Sequence, residues 1–295
     1  SGTASSSTFL RGDSTFAAVT STTINNNANN RVITGSGTAN TLEGEANLTF
    51  DGDDLLIRSS TDGRRISFAT DGTSHYMKYD DTLSGIILNG YGGIAFETNG
   101  TNERLRIDSS GRVLIGTTTE GEASADDLTI AGSGNQGITI RSGTSNYGLI
   151  YFSDATSGTG EYDGAIEYKH SDNFMVFRTG ASERLRIDSS GHMGLGVTPN
   201  SNWPSNDDFK ALQIGTGACV FGRGSGDDDR AGFAANYYAT GSGNAYLANG
   251  HANLIYLNDG NIDFYTAAEN SSGAGAALTL SQILRMNTSG NLKVG

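Results

Sequence analysis

Proline, cysteine and tryptophan are nearly absent from this 295-residue sequence, which contains two prolines, one cysteine and one tryptophan. A single cysteine excludes an intrachain disulfide, and the position of Cys219 in the apolar run 218–221 predicts a small buried core residue. No run approaches the ~18 consecutive apolar residues of a membrane-spanning helix. We therefore expect no disulfide framework and no membrane insertion.

Positive charge and hydrophobic residues are also scarce. Lys and Arg number 19 against 32 Asp and Glu, which gives a net charge of −13, and this balance argues against nucleic acid or an anionic membrane as the main partner. The hydrophobic fraction is 36%, below the roughly 45–50% (glycine included) of globular chains. One chain would struggle to bury a full core at that level, so we expect association with identical chains.

Glycine, by contrast, is abundant. The 42 glycines are about twice the usual share of roughly 7%, whereas long amphipathic helical runs are missing. Many short strands separated by Gly, Asn, Asp and Ser turns are typical of all-β proteins. The predicted fold is all-β, with tandem β-rich repeat units and hairpins, and association of identical chains would make it a β-structured fibre.

One nine-residue stretch recurs. Residues 103–111 and 183–191 have the same sequence, Glu-Arg-Leu-Arg-Ile-Asp-Ser-Ser-Gly, and a weaker copy occupies 284–290. Apolar and polar residues alternate in it with the period of a half-buried strand, and Asp-Ser-Ser-Gly is a turn sequence. Each copy therefore predicts a β-hairpin.

The hairpin register follows from the turn. Pairing Asp108 with Arg112 puts apolar residues opposite one another in every copy, and a one-residue slip would mix the faces. We expect these Leu/Ile faces to point into shared cores. The predicted pairs are Leu105–Ile115, Ile107–Val113, Leu185–Leu195, Ile187–Met193, Leu284–Val294 and Met286–Leu292.

The repeats suggest four segments. Residues 1–46 are polar and predict an extended stalk or connector, and three β repeat units follow at 47–122, 123–203 and 204–295. The third unit contains extra material near 222–250. A hairpin is also predicted from Leu48-Thr49-Phe50 to Leu55-Leu56-Ile57, across a polar turn.

Candidate catalytic chemistry is weak. Most acidic residues stand beside Gly or Ser, where turn chemistry explains them, although glycoside hydrolysis by two carboxylates about 5–9.5 Å apart remains an alternative. Asp227-Asp228-Asp229 predicts a solvated loop rather than a calcium site, because the Gly and distal Glu of a calcium loop are missing. The four histidines are scattered. We predict no catalytic residues, no cofactor and no metal ligands.

Aromatic residues cluster late in the chain. Tyr237, Tyr238 and Tyr246 lie next to Gly, Asn and Ser, so we expect them to be exposed and to contact a receptor, since variable loops on a rigid scaffold often bind ligands. The alternative is that these rings fill the core of a trimer.

The repeats resemble those of bacteriophage tail fibre proteins, notably from marine phages. The similarity lies in the nine-residue stretch with its continuation Val-Leu-Ile-Gly-Thr-Thr at 113–118 or Gly-Leu-Gly-Val-Thr at 194–198, and in the connector-like residues 6–13. The resemblance implies that the all-β chain forms an elongated trimeric fibre of tandem β-rich repeat units, a homotrimer in the virion tail, outside the cell. Its partners would be other tail or baseplate proteins and host surface polysaccharide or lipopolysaccharide.

Two other functional classes remain open. A tailspike enzyme that degrades surface polysaccharide would place paired carboxylates in an acidic cleft. A bacterial surface adhesin would share the repeat architecture without belonging to a virus. We expect a structural and receptor-binding protein that is not an enzyme.

Overall fold

A computed structural model describes residues 8–10, 16–18, 23–26, 28, 31–50, 55–57, 65–68, 74–205, 209–223 and 229–295. The chain divides into two compact units, residues 1–137 and 138–295. Strands dominate both units, and the described residues include one short 3-10 turn, Gly158–Tyr162, and no α-helix. The all-β prediction is therefore confirmed.

The described residues of the first unit form thirteen strands in four sheets. Strands β1 and β2 form a hairpin; β3, β5 and β4 form a sheet to which β6 adds; β7, β8 and β9 form a third sheet; and β10 to β13 form the fourth. The strands are β1 Thr8–Leu10, β2 Phe16–Ala18, β3 Thr23–Asn25, β4 Arg31–Gly35, β5 Thr41–Phe50, β6 Leu55–Ile57, β7 Arg65–Ser67, β8 Tyr76–Asp80, β9 Gly85–Asn89, β10 Gly93–Thr98, β11 Asn102–Asp108, β12 Val113–Ile115 and β13 Leu128–Ile130.

In the second unit the described residues form fourteen strands, twelve of them in one open sheet. These strands are β14 Tyr147–Phe152, β15 Gly164–Lys169, β16 Phe174–Thr179, β17 Ser182–Ile187, β18 Met193–Leu195, β19 Phe209–Ile214, β20 Ala218–Arg223, β21 Ala231–Ala235, β22 Tyr238–Thr240, β23 Gly243–Ala245, β24 Gly250–Asn258, β25 Asn261–Asn270, β26 Ser281–Met286 and β27 Leu292–Val294. In the sheet each strand neighbours the next in sequence, except that β22 and β23 leave it as a separate hairpin between β21 and β24.

The three repeat hairpins have the predicted register. Strands β11–β12, β17–β18 and β26–β27 pair antiparallel with all six predicted apolar contacts, from Leu105–Ile115 to Met286–Leu292. The equivalence extends to the strand before each hairpin, where a β-bulge follows an aromatic residue, Phe96, Phe177 or Phe264. The same backbone unit is therefore built three times.

The turns of these hairpins are stabilised in the same way. The Asp188 carboxylate accepts the backbone N–H groups of Ser190 and His192, each at 2.9 Å. Asp108 does the same in the first copy and the amide oxygen of Asn287 does so in the third. The glycine that closes each turn has positive φ, 78° at Gly191, a conformation that glycine adopts without steric cost.

A parallel strand follows each of the first two hairpins. Strand β13 pairs with β12, and β19 pairs with β18, in the same register. The sequence did not reveal this pairing, because a parallel partner is reached through a loop and leaves no local signal.

The remaining predictions fall partly on described residues and partly outside them. The hairpin at 48–57 is confirmed by the pairs Leu48–Ile57 and Phe50–Leu55, while its turn, residues 51–54, lies outside the described residues. The connector-like residues 6–7 and 11–13, and Asp227 and Asp228, are also outside them. The segment boundaries 1–46, 47–122, 123–203 and 204–295 stay predictions.

Candidate functional site

The two faces of the twelve-stranded sheet differ in burial. Side chains alternate between the faces along each strand. We call one side the covered face, represented by Val176, Phe209, Phe221 and Leu254, whose exposed fractions are 0%, 3%, 5% and 4%. The other side, the open face, carries the apolar residues of the repeat hairpins.

An aromatic stack fills the core on the covered face. Trp203 stacks on Phe209 with ring centroids 5.6 Å apart, Phe209 on Phe221 at 5.4 Å, and Phe221 on Tyr237 at 5.5 Å. Cys219 is fully buried beside them and its thiol donates to the Tyr237 carbonyl at 3.3 Å. Burial raises the Cys219 pKa to about 12. The prediction of a buried core cysteine is confirmed.

The three tyrosines proposed as exposed are buried, so that expectation was wrong. Tyr237, Tyr238 and Tyr246 have exposed fractions of 5%, 2% and 5%. The Tyr237 hydroxyl donates to Asn244 Oδ1 at 2.8 Å, and that of Tyr246 to the Ala268 carbonyl at 2.6 Å. These rings fill the core of a single chain, and their neighbouring Gly and Asn residues belong to a hairpin that folds back over the sheet.

Asn236 holds that hairpin in place. Its φ is 49°, its amide Nδ2 donates toward the carbonyls of residues 249–251 at 3.1–3.3 Å, and its Oδ1 accepts the Ala248 N–H at 2.7 Å. Because Asn tolerates this left-handed conformation, one residue both turns the chain after β21 and joins it to the start of β24. Sequence reasoning missed this residue.

The open face carries an uninterrupted apolar row. Ten neighbouring strands each contribute one registered residue, and none of the ten is buried. At ~4.8 Å per strand the row extends for roughly 40 Å. In order, its members are Met175, Ile187, Met193, Leu212, Val220, Phe233, Ile255, Phe264, Leu284 and Val294.

The exposure along this row is large at its centre and its end. Phe233 is 56% exposed, Ile255 41% and Val294 79%. Isolated exposed apolar residues are ordinary, but monomeric soluble proteins rarely expose contiguous apolar patches above a few hundred Å². A row of ten large side chains therefore indicates an interaction surface.

The first unit repeats the arrangement in the sheet formed by β10 to β13. Phe96, Leu105, Ile115 and Ile130 are registered across β10 to β13, and Phe96 and Ile115 are 46% and 39% exposed. On the opposite face Leu114 is 1% exposed. Within one chain, then, the Leu/Ile faces of the hairpins are not enclosed, and the shared cores predicted for them stay a prediction about an assembly.

Ion pairs accompany the hairpins on the side opposite the open face. Arg106 donates to both oxygens of Glu103, and Arg186 does so to Glu183. In the third copy Arg285 donates to both oxygens of Asp263 at 2.6 and 2.7 Å, and Asp263 is 0% exposed. The guanidinium holds the pKa of Asp263 below its usual range.

The acidic residues of the first hairpin are engaged in structure. Arg112 pairs with Asp108 at 2.7 Å and with Asp126 at 2.9 Å, beside Glu120 at 3.7 Å. In the part of the chain that the structure describes, no group of three or more His, Cys, Asp or Glu side chains is arranged for a metal ion. Turn and ion-pair roles account for these carboxylates.

Comparisons with known proteins give no family for the chain: no protein-family model matches it, and no curated protein does so either. Within the described residues, no helical segment combines the length and apolar character that a membrane crossing requires.

Proposed function

We propose that the chain is a structural segment of a bacteriophage tail fibre. In this proposal it assembles as a homotrimer through its open face and contributes to attachment of the particle to polysaccharide or lipopolysaccharide on the host surface. It belongs to the extracellular virion, where its partners are other tail or baseplate proteins. The observation that carries the proposal is the apolar row across ten strands, which a single chain leaves in contact with water.

Burial of the row is the physical reason for assembly. Transfer of a large apolar side chain from water to a protein interior contributes about 1.5–3 kcal/mol, and the residues of the row are already fixed by the sheet, so little further backbone entropy is lost when copies meet. Closed symmetric assemblies also cover sheet edges that would otherwise aggregate. Three copies can enclose the three open faces around one axis.

The repeated hairpins support a fibre more than an enzyme. The same backbone unit recurs with the same turn and the same bulge, and the carboxylates of Asp108, Asp188 and Glu183 are engaged in turn contacts and ion pairs. We therefore propose binding without hydrolysis. Reducing-end release from purified host capsule or lipopolysaccharide by the intact chain would contradict this part of the proposal and favour the tailspike alternative.

The assembly is tested by light scattering on the purified chain. We expect a molar mass about three times the 30.7 kDa of one chain. Phe233→Asp places a carboxylate in the centre of the row and should give monomers. Ser271→Asp introduces the same carboxylate at an exposed loop position and should leave the mass unchanged. A stable wild-type monomer at micromolar concentration would end the proposal.

The biological role requires a second test. The purified chain should bind host cells and compete with phage adsorption, and electron microscopy of the native particle should place it in a tail fibre. A particle without it, or a gene surrounded by secretion genes, would favour a bacterial surface adhesin instead.

A further inference from the structure

A pocket of about 260 Å³ opens beside the turn of the second repeat hairpin. Its floor is formed by His192 and Trp203, which are 2% and 3% exposed, and by buried Pro199. One wall is the ring of Phe174, with the Arg186 guanidinium 3.9 Å from the ring centroid. Phe174, Arg186 and His192 all alternate with open-face residues, so the pocket lies on the opposite side of the sheet.

The floor of the pocket is held rigidly. His192 Nδ1 accepts the Ala211 N–H at 3.2 Å, which leaves Nε2 to donate to the Pro204 carbonyl at 3.0 Å. The Trp203 indole N–H donates to Gln213 Oε1 at 3.3 Å. Both rings pack against Phe209. A binding site built on such a fixed scaffold loses little entropy when it is occupied.

The rim of the pocket carries unused hydrogen-bonding capacity. Asp172, Ser189, Thr198 and Ser201 line it and are exposed. Among the described residues, the hydroxyls of the last three have no hydrogen-bond partner, and Asp172 accepts one bond, from Ser171. Three hydroxyls and a carboxylate around a small volume suit a ligand that presents several hydroxyl groups of its own.

The equivalent position of the first hairpin is filled differently, by Arg112. Arg112 and His192 each follow the turn glycine, yet the guanidinium of Arg112 reaches Asp108 and Asp126 at 2.7 and 2.9 Å. In the second copy the smaller imidazole turns into the core. The two turns therefore differ in the side chain that follows the glycine, and the first hairpin serves as a control for the second.

Charge limits the ligand further. Arg186 donates two hydrogen bonds of 2.7 Å to Glu183, so the positive charge of Arg186 is neutralised. Asp172 and Asp188 also line the pocket, and each carries a carboxylate. An anionic sugar would meet two negative charges. The volume lies below the roughly 300–1,000 Å³ of drug-sized sites, which suits one sugar ring.

We propose that this pocket is a subsite for a single neutral hexose unit of a surface glycan. Asp172 and the rim hydroxyls would hydrogen-bond the sugar hydroxyls, and the edge of Trp203 and Phe174 would contact its carbon face. This inference rests on the proposed role in host attachment. It is compatible with the proposed assembly, since burial of the open face leaves the pocket on the other side of the sheet.

The test is saturation-transfer NMR on the intact chain with glucose, galactose and mannose as probes. We expect transfer to at least one hexose, and a loss of at least tenfold in affinity in the double variant Asp172→Ala/Ser189→Ala. The matched control is Ser109→Ala, the same change at the equivalent serine of the first hairpin, which should bind like the wild type.

Three outcomes would overturn the subsite: no transfer to any of the three hexoses, equal binding by the double variant, or stronger binding of glucuronic acid than of glucose. Light scattering on the same samples separates the two proposals. A trimer that binds no hexose rejects this subsite alone, whereas a monomer rejects the proposed assembly whatever it binds.

Discussion

The covered and open faces of the twelve-stranded sheet are made from similar residues but have different surroundings. On the covered face Phe221 is 5% exposed, between the rings of Phe209 and Tyr237. On the open face Phe233, in the neighbouring strand, is 56% exposed. The β22–β23 hairpin covers one face, whereas the described residues of the second unit leave the apolar row of the other face partly exposed. Hydrophobicity alone therefore does not tell which face a chain buries by itself.

The largest effect is expected from Phe221→Ala. Removal of a buried aromatic ring typically costs about 3–5 kcal/mol of unfolding free energy, and the loss should appear in monomer and assembly alike. Phe233→Ala is the matched change on the open face and should affect monomer stability little while weakening self-association. Denaturant unfolding and light scattering on both variants check this, and equal destabilisation of the monomer would contradict the assignment of the two faces.

A charge at the hairpin face should separate folding from assembly. Ile187→Asp and Ile107→Asp each place a carboxylate among apolar neighbours that are half-exposed in one chain and buried in the proposed trimer. We expect a loss of about 2–3 kcal/mol in assembly free energy, with the β-structure of the single chain retained. Circular dichroism and sedimentation measure the two effects. Unchanged thermal stability and unchanged mass in both variants would show that these faces are not buried.

Arg285→Ala tests the ion pair with Asp263 on the covered face. We expect a smaller loss of unfolding free energy, because Gln282 still donates to Asp263 at 2.9 Å and water can reach the space left by the partly exposed guanidinium. The pKa of Asp263 is lowered by Arg285 in the folded chain. Its contribution to stability is therefore present above the unfolded pKa of about 3.9 and is lost as the pH falls through the folded value.

The measurement is unfolding free energy against pH. The difference between wild type and Arg285→Ala should be constant above about pH 5 and shrink as the pH falls below about 4 toward the lowered folded pKa of Asp263, because the carboxylate that Arg285 stabilises is then progressively protonated. A difference that grows on acidification would show that the pair is not the source of the lowered pKa.

The smallest effect concerns the hairpin turn. Asp188→Asn should be nearly neutral, because Asn287 performs the same role in the third copy with N–H contacts of 2.9–3.0 Å. Asp188→Ala removes the acceptor of two backbone N–H groups and should cost about 1 kcal/mol. Thermal unfolding of the two variants is the comparison, and equal losses would mean that the acceptor does not stabilise the turn.

The sequence predicted what is local and repeated. Three copies of one hairpin gave three independent tests of a single register, so Leu185–Leu195 and its equivalents could be placed correctly. The packing of the β22–β23 hairpin on the covered face was not predictable in this way. Asn236 connects segments twelve or more residues away, and Tyr237 and Tyr246 are buried by that long-range contact although their sequence neighbours are turn residues.

The open face was foreseen in part. Low hydrophobic content predicted that one chain would leave apolar surface uncovered, and the hairpin register predicted which side chains share a face. The continuous row arises because β18 and β19 pair in parallel and join two repeats into one sheet. Residues 196–208 separate the two strands in sequence, and nothing in the sequence of that segment specifies the pairing.

The central claim, that other copies cover the open face, is tested most directly by thiol labelling. Native Cys219 is buried, and its raised pKa keeps it unreactive. The labelling signal therefore reports only the introduced thiol. Ile255 is 41% exposed in one chain, and Ile255→Cys should be protected at micromolar protein and react rapidly after dilution to monomers, whereas Ser271→Cys reacts rapidly in both. Rapid labelling of Ile255→Cys in the undiluted protein would show that the open face stays in water and would contradict the account.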